Sequence, residues 1–379
     1  MPFKSALSLG AVAFLLTAFA AVAYADSAAL RTITSDDPSP LPTHIAGSDA
    51  RIHYEGRFDT TDPSGPRCSW SASTARVKFQ GSALDVDLNE SDGSRDEYEV
   101  EVDGQPASVL VAQPGAHTYR LYDGVGSATH TLALVKRTEA FCGIGQVRGF
   151  DLPADGKLLD PGRAPRKGIE VIGDSISCGY GNEGKNQNEH FSPTTENAYY
   201  TYGAIAARDF GAQYTCVAWS GKKMWPNNDI PSIYDLALPT DPNSHWDFSK
   251  WKPDVVVINL STNDWGRGAP EEAGWTSAYE AFINRVRKNY PKAIIYCCTS
   301  PMMSGDGRQQ TITYLTKIVG DENTAGDKRV ALLEIPMQDM QKDGLGSDWH
   351  PNIATHEKDA ALLEATIEKD LGWKPVNSK

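Results

Sequence analysis

Four short stretches of the 379-residue chain carry residue types suited to acyl transfer. They are Gly173-Asp174-Ser175, Ser220-Gly221, Thr262-Asn263-Asp264 and Asp348-Trp349-His350. A serine hydroxyl is a weak nucleophile until a neighbouring imidazole takes its proton, and His350 is the candidate base for Ser175. The tetrahedral oxyanion of such a reaction needs donors held where the charge develops. The backbone N–H groups of Ser175 and Gly221 and the side-chain amide of Asn263 would supply three. Each stretch alone says little, since Gly-Asp-Ser is a common turn and Asn and Asp cap helices routinely. Their order, and their shared place after apolar runs, make the argument.

Those apolar runs must do the positioning. Residues 168–173, 214–220, 254–261, 293–300 and 330–336 are continuous rather than alternating, which suits strands of a parallel sheet buried on both faces. Helical segments over 198–211, 276–291, 309–320 and 355–372 separate and follow them, the last stopped by Gly372. Strand and helix alternating five times predict a three-layer α/β domain over residues 166–376, with its functional groups at the carboxyl ends of the strands.

The preceding part has another texture. Residues 75–81, 83–90, 98–104, 117–124 and 130–139 alternate apolar with polar, and Gly, Asp-Gly and Pro-Gly punctuate them about every ten residues. This predicts an all-β sandwich, a jelly roll, over residues 41–160. The Pro, Gly and basic residues of 158–168 mark the boundary.

At the start of the chain, Lys4 precedes an apolar stretch and Ala23-Tyr24-Ala25 offers small residues at a cleavage site. Residues 1–25 therefore read as a signal peptide cut after Ala25, and 26–40 as a linker, giving a secreted (extracellular or periplasmic) protein. Cleavage removes one base and no acid, so the net charge of −13 becomes −14. So acidic a chain is unsuited to nucleic acid or anionic membranes, and a neutral substrate fits better. In an oxidising compartment Cys68 and Cys142 could staple the β-module, while Cys178, Cys216, Cys297 and Cys298 read as buried free thiols. No spacing matches a metal site, so no metal or other cofactor is expected, and the expected state is a monomer.

The four blocks resemble those of the SGNH (GDSL-like) hydrolases: "GDS" after the first strand, glycine in "WSGKK", asparagine in "STNDW" and histidine in "DWHPN". The β-module, with "KRTEA" and "RGFDLPADGKLL", is similar to that of the two-domain acetyl xylan esterases of carbohydrate esterase family two. The resemblance implies metal-free removal of O-acetyl groups from plant polysaccharides or oligosaccharides such as xylan and glucomannan. It implies Ser175 as nucleophile, Gly221 and Asn263 as oxyanion donors and His350 as base. The wider pattern has two residues between acid and histidine, whereas only Trp349 separates Asp348 from His350. Residues i and i+2 of an extended chain share a face, so Asp348 is the expected orienting group. Some members of the esterase family use a main-chain carbonyl instead, which here would be that of Trp349.

Trp225, Trp265 and Trp275 fall near strand-end loops and are expected to stack on sugar faces, with packing as the alternative. Asp264 is expected to hold the Asn263 loop and Asp174 to satisfy N–H groups of its own turn. His356 reads as a solvated surface histidine. Two rivals remain: a secreted carbohydrate-binding protein with an inactive hydrolase domain, and a lipase or thioesterase of the same fold. Retention of Ser175, Asn263 and His350 together disfavours the first, and the lack of a long apolar lid-like segment disfavours the second. No GxSxG occurs, so an α/β-hydrolase is not indicated.

Overall fold

Among the described residues, twelve strands precede the all-parallel sheet in the structure, a computed structural model that describes residues 31–34 and 40–376. The expected signal peptide and cleavage site lie outside these residues. The strands are β1 (Arg31–Thr34), β2 (Thr43–Ala46), β3 (His53–Glu55), β4 (Arg67–Cys68), β5 (Thr74–Gln80) and β6 (Ala83–Glu90). They continue with β7 (Glu97–Val102), β8 (Gln105–Val111), β9 (Gly115–Asp123), β10 (Thr129–Lys136), β11 (Gly145–Leu152) and β12 (Lys157–Leu159). One sheet runs β1-β8-β7-β10-β5-β12 with β3 also on β5, and the other runs β2-β11-β6-β9 with β4 on β11. Alternation along the strands sends Val77, Phe79, Val86, Leu88, Val100 and Leu132 into one core between the sheets. The expected linker of residues 26–40 contains β1, which pairs in parallel with β8. The staple considered for Cys68 and Cys142 is not formed, and both are buried free thiols like the other four cysteines.

The outward face of β7 does not meet water. Glu97, Glu99 and Glu101 are all at most 5% exposed, because the second module lies against them. Thr194 donates to Glu97 at 3.0 Å, Arg137 and Asn197 to Glu99 at 3.1 Å each, and Tyr199 to Glu101 at 3.0 Å. A buried carboxylate is tolerated only when paired in this way.

The second module holds β13 (Gly168–Gly173), α1 (Ser175–Cys178), α2 (Tyr202–Phe210), β14 (Gln213–Ala218) and β15 (Val255–Asn259). It ends with α3 (Glu272–Asn289), β16 (Ile294–Cys298), α4 (Gly305–Ala325), β17 (Val330–Leu333) and α5 (Ile353–Leu371). The sheet order is β14-β13-β15-β16-β17, every pair parallel. Every residue of β13 is buried, as its unbroken apolar run requires. Ile169 and Val171 pack with α2 and α5, and Ile172 with α3 and α4, so helices cover both faces. Ala72 and Val135 of the β-module join the first of these cores and Trp70 and Ala140 the second.

One expected alternation fails. No helix joins β14 to β15; residues 219–254 form a long irregular crossover instead. Its Met224, Ile230, Tyr234 and Leu238 are buried and cover the sheet where a helix would lie. Among the described residues, no helix is long and apolar enough to cross a membrane.

Candidate active site

Register brings the strand-end residues together. Gly173 at the end of β13 is level with Ala218 of β14 and Asn259 of β15, so the loops carrying Ser175, Gly221 and Asn263 leave the sheet side by side. Asp174 then caps α1, its Oδ1 accepting the Ile176 N–H at 3.1 Å, as expected of that turn. The cap starts a helix at Ser175, whose hydroxyl lies 2.8 Å from His350 Nε2.

The other ring nitrogen defines the tautomer. His350 Nδ1 lies 3.2 Å from the Ser347 carbonyl oxygen and 3.1 Å from that of Asp348. Carbonyls only accept, so Nδ1 carries the hydrogen and donates it, leaving the Nε2 lone pair towards Ser175. The Tyr180 ring stacks on the imidazole at 4.2 Å between centroids. Burial lowers the His350 pKa below 6.5, although both carbonyls and the Asp348 charge act the other way. The ring is therefore neutral, and able to take a proton, at pH 7.

Asp348 does not orient the imidazole through its carboxylate. That carboxylate accepts from Tyr180 Oη at 2.7 Å, from the Phe191 N–H at 3.2 Å, and bonds His190 Nδ1 at 2.8 Å. Burial raises the Asp348 pKa, but His190 and Tyr180 outweigh it and the net shift is downward. Nor is the Trp349 carbonyl the partner; it accepts from Gln338 Nε2 at 2.9 Å. The reason is backbone shape. Asp348 and Trp349 have φ of 48° and 67°, a left-handed turn that aims the two preceding carbonyls at the ring. The turn packs tightly on the loop after α1: a Cβ at Gly181 would meet Ser347 Cβ at 2.5 Å, and one at Gly346 would meet the Gly181 oxygen at 2.2 Å. Glycine is required at both.

Asn263 ties the remaining loops together. Its Nδ2 donates to Asp174 Oδ2 at 3.2 Å and to the Lys222 carbonyl at 2.9 Å. Both amide hydrogens are thus engaged at rest, and donation to a new oxyanion must share the longer of these bonds. Among the described residues, the N–H groups of Ser175 and Gly221 have no protein acceptor. Burial, helped by the Asp264 charge, pushes the Asp174 carboxyl up to about 7. Asp264 holds a different loop from the one expected, accepting the N–H groups of Met224 at 3.1 Å and Trp225 at 2.9 Å beyond Gly221.

The three tryptophans separate. Trp275 is 0% exposed and donates its Nε1 to Asp264 at 2.9 Å, so it is core and meets no sugar. Trp265 is half-buried with its edge against Trp275, and Trp225 is half-buried over Gly274. His356 is not a surface histidine. It is 1% exposed, accepts the Tyr202 N–H at 3.3 Å on Nδ1, and burial drives its pKa down to about 3. The reading of the sequence missed Tyr180 and His190, and took Trp349 only for its carbonyl, not for its exposed ring. For Trp349 a signal existed, a large aromatic in a polar loop directly before His350.

Comparison with known proteins agrees with this architecture. Residues 54–161 match the carbohydrate esterase 2 N-terminal family, and residues 171–358 match the GDSL-like lipase/acylhydrolase family. Fold and site together define a GDSL-like hydrolase preceded by a β-module. A family two carbohydrate esterase from Clostridium thermocellum, solved with cellohexaose, is 41% identical with a TM-score of 0.82, over 85% of this chain and 99% of that one. The chain belongs to carbohydrate esterase family two. It is 42% identical over 327 residues to the cellulase/esterase CelE of Acetivibrio thermocellus, covering 85% of this chain but only 40% of that relative's length. It is 25% identical over 347 residues to an acetylxylan esterase / glucomannan deacetylase of Cellvibrio japonicus, covering 87% of this chain and 92% of the relative.

Proposed function

We propose that this chain is a secreted serine esterase that removes O-acetyl groups from plant cell-wall polysaccharides or oligosaccharides, xylan and glucomannan among them. The observation that carries the reading is the 2.8 Å contact between Ser175 Oγ and His350 Nε2, with Nδ1 committed to two carbonyls. Ser175 Oγ attacks the acetyl carbon while Nε2 takes its proton, and the carbonyl electron pair moves onto oxygen. The N–H groups of Ser175 and Gly221 and the Asn263 amide receive that charge. Collapse expels the sugar hydroxyl, which leaves with the Nε2 proton, and acetyl-Ser175 remains. Water, deprotonated by the same nitrogen, then releases acetate. Asp348 acts on the turn rather than on the ring, so the machinery is a Ser175–His350 dyad held by main-chain carbonyls.

Similarity and surface support the proposed substrate class. Trp349, 55% exposed beside His350, offers an aromatic face of the kind that stacks on sugars. Trp225 and Trp265 are half-buried and offer partial faces. The experiment is acetate release from acetylated xylan, acetylated glucomannan and an aryl acetate. Release from the polysaccharides by the wild type and none by Ser175→Ala is expected; equal release by the two proteins would refute the mechanism.

A further inference from the structure

The dyad leaves unused a buried acid that comes from the other module. Glu139 lies just beyond β10, in the stretch Lys136-Arg137-Thr138-Glu139-Ala140, and is 0% exposed. Its Oε2 accepts the Ser220 N–H at 2.7 Å and its Oε1 accepts the Ser220 hydroxyl. One carboxylate thus holds both the backbone and the side chain of the residue before Gly221. Those two contacts restrain residue 220, whose carbonyl carbon carries the Gly221 N–H, and with the Trp219–Lys222 turn bond they limit where that N–H can point. Gly221 itself is held only through the backbone, by the Lys222 N–H bond to the Trp219 carbonyl at 3.2 Å and by Asn228 Nδ2 on its own carbonyl at 3.1 Å. It is exposed, has a φ of 75°, and a Cβ there would meet nothing within 4 Å. Glycine freedom at an oxyanion donor needs an external restraint, because a donor misplaced by a fraction of an ångström loses its advantage.

Glu139 is itself held from several sides. Its N–H donates to Glu196 Oε2 at 3.0 Å, and the Lys136 ammonium donates to its carbonyl at 3.3 Å. Burial raises the carboxyl pKa of both Glu139 and Glu196, and the Glu139 charge raises that of Glu196 further. Cys178 completes a buried cluster of metal-ligand types with these two acids. Both Glu139 oxygens are already engaged with Ser220, and burial keeps the Cys178 thiol protonated, so the cluster is a hydrogen-bonding one.

We propose that Glu139, supplied by the β-module, is the positioning residue for the Ser220–Gly221 oxyanion loop. The accessory module then completes the catalytic centre in addition to any glycan it touches. The inference rests on the esterase reading and deepens it.

The experiment compares full-length wild type, Glu139→Ala and Glu139→Gln on an aryl acetate, with methylboronic acid as a second probe. The boronic acid forms a tetrahedral anion on Ser175 and so reports the oxyanion site directly. Glu139→Ala is expected to lower kcat by roughly ten- to a hundredfold with KM within about twofold, a share of what losing one oxyanion donor costs. Its boronate inhibition constant should rise by the factor that kcat/KM falls. Glu139→Gln keeps the shape and one acceptor oxygen, and should recover most of the loss. A role in folding alone would lower the melting temperature and leave kcat and the boronate constant unchanged per folded molecule. A folded Glu139→Ala with kcat within about twofold of wild type overturns the proposal. If Glu139→Ala does not fold, Ser220→Ala replaces it; a kcat about three- to tenfold lower is then expected, and a wild-type kcat overturns the idea. An inactive wild type sinks the esterase reading, whereas an active wild type matched by its variant sinks only the positioning role.

Discussion

His350 receives its orientation from two backbone carbonyls, and that changes what its neighbours should do when mutated. A carbonyl fixes the tautomer as a carboxylate would but brings no full charge to the imidazolium formed during attack. Burial then dominates, and the resting ring has a lowered pKa. Since the base must be deprotonated, kcat/KM should fall as pH drops through that value, with its half-point below 6.5. A pH profile whose acid limb is centred above about 7 would contradict the environment described here. If the Asn263 amide acts on developing charge, as proposed, Asn263→Ala should lower kcat by roughly a hundredfold or more with a smaller change in KM. Steady-state kinetics on an aryl acetate checks this, and a change confined to KM would make Asn263 a binding residue. Residue types at this scale were legible: serine, histidine and asparagine stand where the four motifs placed them. The partner of His350 was not, because it depends on the left-handed backbone at Asp348 and Trp349, which no side-chain pattern announces.

The strands of the parallel sheet carry the clearest pattern in the chain, and they formed within two or three residues of the apolar runs. Unbroken burial on both faces leaves an apolar run little choice. The crossover between β14 and β15 was illegible for the opposite reason: its buried residues follow no period. Trp275 belongs here as well, since its place on α3 and its bond to Asp264 make it part of the support under Met224 and Trp225. Trp275→Ala should cost about 3–5 kcal/mol of stability, the range for a large core aromatic. KM for polysaccharide should stay unchanged in the folded fraction. Denaturant unfolding together with KM decides between core and subsite, and a raised KM at unchanged stability would restore the stacking role.

Across the whole molecule the two modules share buried cores and buried polar contacts. Arg57 of the β-module is fully buried in the second module, bonded to the Tyr234 carbonyl and 3.4 Å from Glu170 on β13. Glu170 also accepts from Tyr234 Oη at 2.6 Å and Tyr290 Oη at 3.0 Å. Without Arg57 a buried carboxylate loses its counter-charge, which costs about 3–5 kcal/mol for such pairs. Residues 166–376 alone should therefore be insoluble or unfolded, and a cooperative melt of that fragment would contradict the shared core. The two-texture division was legible; the polar seam was not, because acids on an alternating strand read as a wet face. That seam and others like it set the response to pH. Burial raises Glu90, Asp359 and Glu364 to about 8, Glu99 and Asp174 to about 7, and Asp264 to about 6. Each binds its proton more tightly folded than unfolded, so its contribution is full below the unfolded carboxylate range and is lost as pH rises through those values. His356 opposes them: its contribution is full above about 6.5 and is lost as pH falls towards 3. His350, lowered by burial as well, acts in the same sense as His356, but six acids outweigh two histidines, so the melting temperature should be higher near pH 5.5 than near pH 8.5, and calorimetry showing the reverse order would refute the burial of these groups.

The central claim, a Ser175–His350 dyad without a carboxylate on the ring, is tested most directly by turnover of Asp348→Asn. Asparagine tolerates the left-handed turn and keeps acceptors for Tyr180 and Phe191. Asp348→Asn should keep more than about a tenth of wild-type kcat on an aryl acetate, while His350→Ala should lose roughly a thousandfold or more. An Asp348→Asn enzyme as inactive as His350→Ala would show that the carboxylate acts on the imidazole after all.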